Sequence, residues 1–117
     1  MDHLTKVVQL LEQAWQMEEQ FLQEQPAEER GLPGTFERWS RKDVIAHIET
    51  WNDLLAANIR ASLSGGTPVD HGDPNEKNFE IFNMHCAKSW QEVYDYAARA
   101  HQDLIDAVRQ LGNEGLQ

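Results

Sequence analysis

The stretch Trp39–Trp51, W-S-R-K-D-V-I-A-H-I-E-T-W, constrains this chain more than any other, because its order of residues starts a helix and aims a titratable group. Ser40 stands as an N-cap, and Asp43, three residues on, is the acid that reaches back to it in a capping box. Trp39 and Val44 occupy the two staple positions flanking such a cap. Once begun, the helix gathers Val44, Ile48, Trp51 and Leu55 into one apolar stripe at spacings of three and four. Ile59 and Leu63 continue it to a Ser64-Gly65-Gly66 stop, with Pro68 just beyond. His47 lies beside Ile48 on the stripe's margin. The pattern aims its imidazole at the core, either as a hydrogen-bonded core-margin residue or as a metal ligand or acid/base group.

The rest of the chain repeats the helical period. From Asp2 to about Gln25 the apolar positions are Leu4, Val7, Val8, Leu11, Ala14, Trp15, Met17, Phe21 and Leu22, and Pro26 ends the run. Residues 26–38 are a turn-rich connection. Asp73 with Pro74 and Glu76 starts a short third segment bearing Phe79, Phe82 and Cys86. Ser89-Trp90-Gln91-Glu92 is a second capping box, before Val93, Ala97, Ala100, Leu104, Ala107, Val108 and Leu111. A kink near Lys88 is expected to join the two, the alternative being a broken pair. Gly112 should close the last helix and leave 113–117 as a polar tail. No segment alternates apolar and polar residues long enough to build a strand. The chain therefore reads as one all-α domain over 1–117, three long helices and one short.

Charge narrows the partners. Ten Lys plus Arg against twenty Asp plus Glu leave a net charge of −10. Such a surface repels phosphate backbones, so no nucleic-acid partner is expected. No apolar run approaches the ~20 residues of a membrane-spanning helix. Met1-Asp2-His3 lacks a basic, then apolar leader, and Cys86 is the single cysteine, so a cytoplasmic location is expected.

Five histidines carry what chemistry is visible. His3 and His71 fall in a terminus and a loop, and His85 and Cys86, being adjacent, diverge on a helix. His101 sits beside Ala97, Ala100 and Leu104 on the inner stripe of the last helix. If the second and last helices run antiparallel, His47 and His101 differ by only about 5 Å in depth and share a layer. His47 and His101, with Glu49 or Asp53 as carboxylate, are the expected ligands of a divalent ion, zinc or nickel, although the register of Glu49 points it partly away. The expected small-molecule pocket is lined by His47, Trp51 and Phe82. No Ser/His/Asp grouping or Gly-rich phosphate loop is present, and no catalytic residue is assigned.

The order of these signals resembles the DinB-like four-helix-bundle superfamily. The likeness rests on Trp39-Ser40-x-x-Asp43-Val44-x-x-His47-x-x-x-Trp51, Gly65-Gly66-x-Pro68, Asn78-x-x-x-Phe82-Asn83 and Ser89-Trp90-x-Glu92-Val93, and spans roughly residues 2–116. Within the superfamily it is most similar to the ClbS/DfsB branch. The resemblance implies an up-and-down bundle with long connections. It also implies relatives that are metal-using thiol-dependent transferases and isomerases, or, in the ClbS branch, a hydrolase that opens a strained ring. In metal-binding relatives one histidine comes from the second helix, the position of His47, and two from an H-x-x-x-H pair on a final helix. This sequence has no H-x-x-x-H, and the expectation is that it lacks that final helix.

Two functions follow as expectations. One is a protein that binds or processes a small molecule in a pocket around His47, with a divalent metal; if an enzyme, it is a small-molecule hydrolase or thiol-dependent transferase by resemblance. The other is a non-catalytic helical module. The short third segment leaves apolar faces uncovered, so a homodimer through the last helix and the flank of the first is expected.

Overall fold

The computed structural model describes residues 2–116. Four helices follow one another: α1 (His3–Gln23), α2 (Arg41–Leu63), α3 (Pro74–His85) and α4 (Trp90–Gly115), with a 3₁₀ turn at Ala27–Glu29. No strand forms among the described residues; the one bridge, Thr35 to Arg38, closes a turn. Each helix begins where a capping residue satisfies otherwise orphaned N–H groups. Ser40 and Asp43 make both bonds of a capping box, as do Ser89 and Glu92, while Asp2 caps α1 and Asp73 caps α3. The stop of α2 is equally local. Gly65 takes φ 81°, Gly65 N–H bonds Ser62 carbonyl, and Gly66 N–H bonds Ala61 carbonyl, so left-handed glycine turns the chain out of the helix.

The end of α4 differs from the expected polar tail. Gly112 breaks the helix with φ 69°, but a last turn resumes, and Asn113 Oδ1 accepts the Leu4 N–H at 2.9 Å. That tail residue therefore helps cap the first turn of α1.

Contacts along the helices fix their directions. Val8, Glu18 and Phe21 of α1 meet Ala56, Glu49 and Arg41 of α2 in reverse order. Leu4, Leu11 and Glu19 likewise meet Asn113, His101 and Tyr94 of α4 in reverse order. Lys42, Thr50 and Arg60 of α2 approach Cys86, Tyr96 and Asp103 in the same order. The four helices thus run up, down, up, down, and α2 and α4 are parallel rather than antiparallel. The loop 64–73 and α3 return the chain, with α3 packed on α2.

One apolar cluster joins Val8, Ala56, Leu104, Ile105, Ala107 and Val108, and a second joins Leu22, Ile45 and Ala97. Here the expected stripe of α2 is corrected. Its buried positions are Lys42, Asp43, Ile45, Ala46, Glu49, Thr50 and Ala56, whereas Ile48 and Leu55 remain 38% and 50% exposed. Apolar periodicity selected the larger side chains, but the inward face carries small and polar ones, because α4 packs closely and brings polar partners. Leu22→Ala is accordingly expected to lower stability by about 3 kcal/mol. Ile48→Ala should cost about 1 kcal/mol or less. Equal urea midpoints for the two variants would restore the original stripe.

The uncovered apolar surface also sits elsewhere than expected. The α4 stripe is enclosed by α1 and α2, while Leu10 and Met17 of α1, Ile48 and Leu55 of α2, and Phe79 and Met84 of α3 are exposed.

Candidate functional site

Three titratable side chains meet inside the bundle, one from each of α1, α2 and α4. Glu18 continues the series Leu11, Trp15, Glu18, Leu22, at spacings that keep it on the inner face of α1. Glu49 lies between Ile45 and Ala56 on α2, and His101 next to Ala100 on α4. Burial is nearly complete: the side chains of Glu18, Glu49 and His101 are 11%, 0% and 3% exposed. One ligand atom from each lies within 4.8 Å of the others.

The hydrogen bonds orient the imidazole. His101 Nδ1 is 2.7 Å from Glu49 Oε2 and 3.7 Å from Glu18 Oε2, and Nε2 faces the Leu11 carbonyl. Trp15 packs against the ring at 5.7 Å between centroids. Asn52 Nδ2 donates to Glu49 Oε1 at 2.9 Å, but Glu18 Oε1 is buried without a partner. Two carboxylates and a ring in so dry a place cannot all keep their ordinary charges. Burial, with the hydrogen bond and charge of Glu49, pushes Glu18 up to about 9, so at neutral pH it holds a proton. Burial disfavours the His101 imidazolium, yet the Glu49 hydrogen bond and charge outweigh it and hold the ring above its ordinary value. A groove of about 330 Å³, lined by Glu12, Trp15, Gln16, Ala98, Gln102 and Ile105, reaches His101 from solvent.

His47 is not part of this group. It stands two residues from Glu49, about 200° around the helix, and so faces α3 instead. Its ring lies 4.9 Å from Trp39, its Nδ1 is buried without a partner, and burial lowers its basicity. A tight crevice there is lined by Trp39, Asp43, Ala46, His47, Ile81, Phe82 and His85. Of the expected pocket residues it holds His47 and Phe82. Trp51 is elsewhere: its Nε1 donates to Asn78 Oδ1 at 3.0 Å and its ring meets His71 edge-on. The expected ligand pair is split likewise, His101 inside the bundle and His47 against α3.

His85, given no role from its position in the sequence, anchors a second buried network. Nε2 lies 2.9 Å from Thr50 Oγ1 and Nδ1 lies 3.1 Å from Lys88 Nζ, with Tyr96 against the ring. Lys88 donates to Nδ1, so Nε2 carries the hydrogen and donates to Thr50. Burial and the charges of Lys88 and Lys42 push His85 down to about 4, and it is neutral at physiological pH.

Residues 10–117 match the sequence profile of the DinB superfamily. The chain belongs to this family. No curated protein matches the chain, and no solved structure does. Among the described residues, no helix of this DinB-superfamily chain is long and apolar enough to cross a membrane.

Proposed function

We propose that this DinB-superfamily protein binds a divalent ion, zinc or nickel, between Glu18, Glu49 and His101, and that a small molecule approaches it through the groove beside Trp15. One observation carries the reading: three donor atoms converge within 4.8 Å while the far nitrogen of His101 is held by a backbone carbonyl. A metal-bound imidazole is oriented by such a bond on its other nitrogen. The unpartnered Glu18 Oε1 supports it, because a buried carboxylate oxygen lacking any donor gains from a cation. One nitrogen and two carboxylates make a donor set that zinc and nickel accept, with coordination positions left for solvent or substrate. The ion would supply Lewis acidity and an activated water or thiol. The chain supplies the rest: Trp15 and Ile105 limit water, Leu11 fixes the ring, and Glu18, protonated in the metal-free protein, would release its proton on taking up the ion. Hydrolysis or thiol transfer, the activities known in the DinB-like and ClbS/DfsB relatives that the sequence resembles, fit such a centre.

Calorimetry on dialysed, metal-free protein tests the site. Zinc or nickel should bind at one ion per chain. His101→Ala and Glu49→Gln should each weaken binding by about 100-fold, and His47→Ala should leave it unchanged. Unchanged affinity in His101→Ala would reject the assignment. Loss confined to His47→Ala would move the ion to the crevice on α3.

That crevice supports a second reading, a small-molecule subsite between Trp39 and Phe82. Two buried polar atoms without partners, His47 Nδ1 and Trp39 Nε1, favour it, since a ligand placed there could satisfy both. Removing either ring should then weaken small-molecule binding and leave metal affinity intact.

A further inference from the structure

A groove of about 620 Å³ lies away from the proposed metal site, where the loop after α1, the first turn of α2 and the α3–α4 junction meet. Three cations line it, Arg30, Lys42 and Lys88, in a chain whose net charge is −10. The groove has one carboxylate, Glu92, and that group is turned to its own helix start, accepting the Ser89 N–H at 3.1 Å.

Two of the cations, Arg30 and Lys88, are held in place without an ion pair among the described residues, while Lys42 pairs with Asp43. Arg30 donates Nε to the Gln25 carbonyl and Nη2 to the Gln23 carbonyl, and its guanidinium lies 4.1 Å from the centre of the Trp90 ring. Lys88 Nζ donates to His85. Neither Arg30 nor Lys88 forms an ion pair among the described residues. Lys42 is only 5% exposed; its ammonium donates to the Cys86 carbonyl at 2.8 Å and has Asp43 at 3.6 Å, beyond hydrogen-bonding distance. An ammonium has three donors and a guanidinium five, so each of these groups keeps N–H capacity unused. Burying a lysine with donors unfilled is unfavourable unless something else accepts from it.

We propose that this groove binds the oxyanion end of a small organic molecule, a phosphate monoester or a carboxylate, whose body lies against Trp90. Arg30, already stacked on Trp90, presents its free edge to the oxygens. Lys42 and Lys88 complete a three-sided charge. Arrayed in this way, charge-assisted hydrogen bonds provide both strength and direction. The acidic surface elsewhere repels the same ligand and so confines it to this groove.

The test follows the Trp90 indole N–H in ¹⁵N-labelled, metal-free protein, assigned with Trp90→Phe, during titration with phenyl phosphate, benzoate and, at matched ionic strength, sodium chloride. A saturable shift in the millimolar range with phenyl phosphate or benzoate, and none with chloride, is expected; the tighter of the two identifies the preferred group. Arg30→Gln and Lys88→Gln should each weaken binding about tenfold, while Lys6→Gln, outside the groove, should not. Lys88→Gln keeps a hydrogen-bond donor for His85, and Arg30→Gln is read in a protein shown by circular dichroism to be folded. No saturation, or equal affinity in Arg30→Gln, Lys88→Gln and Lys6→Gln, overturns the proposal. Saturation by chloride does too, since it reports screening alone.

Discussion

Replacing Glu49 with alanine is expected to destabilise the metal-free protein by about 3–5 kcal/mol, the largest loss of any single polar substitution in the chain. Glu49 is fully buried and is the close partner of His101 at 2.7 Å. Removing it takes away the bond and charge that hold the His101 ring above its ordinary value, and leaves in a dry interior an imidazole whose Nδ1 has only Glu18 at 3.7 Å to face. The same interior argues for a very different result when all three groups are removed together. Buried ion clusters replaced by apolar residues of similar volume are often neutral or stabilising, because the desolvation of every charge is avoided at once. Glu18→Leu, Glu49→Leu and His101→Phe combined should therefore be at least as stable as the parent chain. Urea denaturation with a chelator present measures both. If the triple variant loses as much as Glu49→Ala, the cluster is a structural device and the case for a binding site weakens.

That contrast also explains what was legible in the sequence. Helix starts are local chemistry, a side chain reaching an N–H two or three residues away, so Asp2, Ser40, Asp73 and Ser89 could all be read directly. Core faces are not local. Leu4, Val8, Leu11, Trp15 and Leu22 mark the inner face of α1, yet Glu18 stands on it and is invisible to any count of apolar residues. On α2 the same blindness did more harm. Glu49 and Thr50 belong to the inward face, and because they are polar the eye passes to Ile48 and Leu55, which turns the whole helix by one residue and aims His47 at the core.

His101 was legible because Ala97, Ala100 and Leu104 surround it with unmistakable core. The missing signal was joint: α1 and α2 each carry a titratable residue at a position where the heptad-like spacing calls for an apolar one, and α4 carries His101 beside such a position. Polar residues in core register on three helices at once are costly unless they meet. The direction of α4 relative to α2 was beyond such reasoning, since it depends on the route of loop 64–73 and α3.

Stability of the metal-free protein should pass through a plateau near pH 5–6.5 and then fall as pH rises toward 9, with the alkaline decline set mainly by Glu18. The sign follows from which state holds the proton. Glu18 is pushed up to about 9 in the fold against an ordinary 4.5. Between those values the native protein keeps a proton that the unfolded chain has lost, so raising the pH favours unfolding. His101, held above its ordinary 6.5, adds to the loss at higher pH. His85 acts in the opposite direction: pushed down to about 4, it refuses a proton that the unfolded chain takes up below 6.5, so stability falls as pH drops through that window. From 4.5 to 6.5 the Glu18 and His85 slopes oppose each other, which gives the plateau. Asp2 and Glu92, both held below the ordinary carboxylate range by capping bonds to Thr5 and Ser89, steepen the fall at lower pH. A full one-proton difference tilts stability by about 1.4 kcal/mol per pH unit, and each kcal/mol moves the midpoint by roughly 4–8 °C. Thermal unfolding followed by circular dichroism from pH 4 to 9 should show both limbs. Glu18→Gln, which cannot ionise, should flatten the alkaline limb and turn the plateau into a continued rise up to about pH 6.5, where His85 is then unopposed; a midpoint that rises steadily from pH 6 to 9 in the parent chain would mean that Glu18 is ionised in the folded protein.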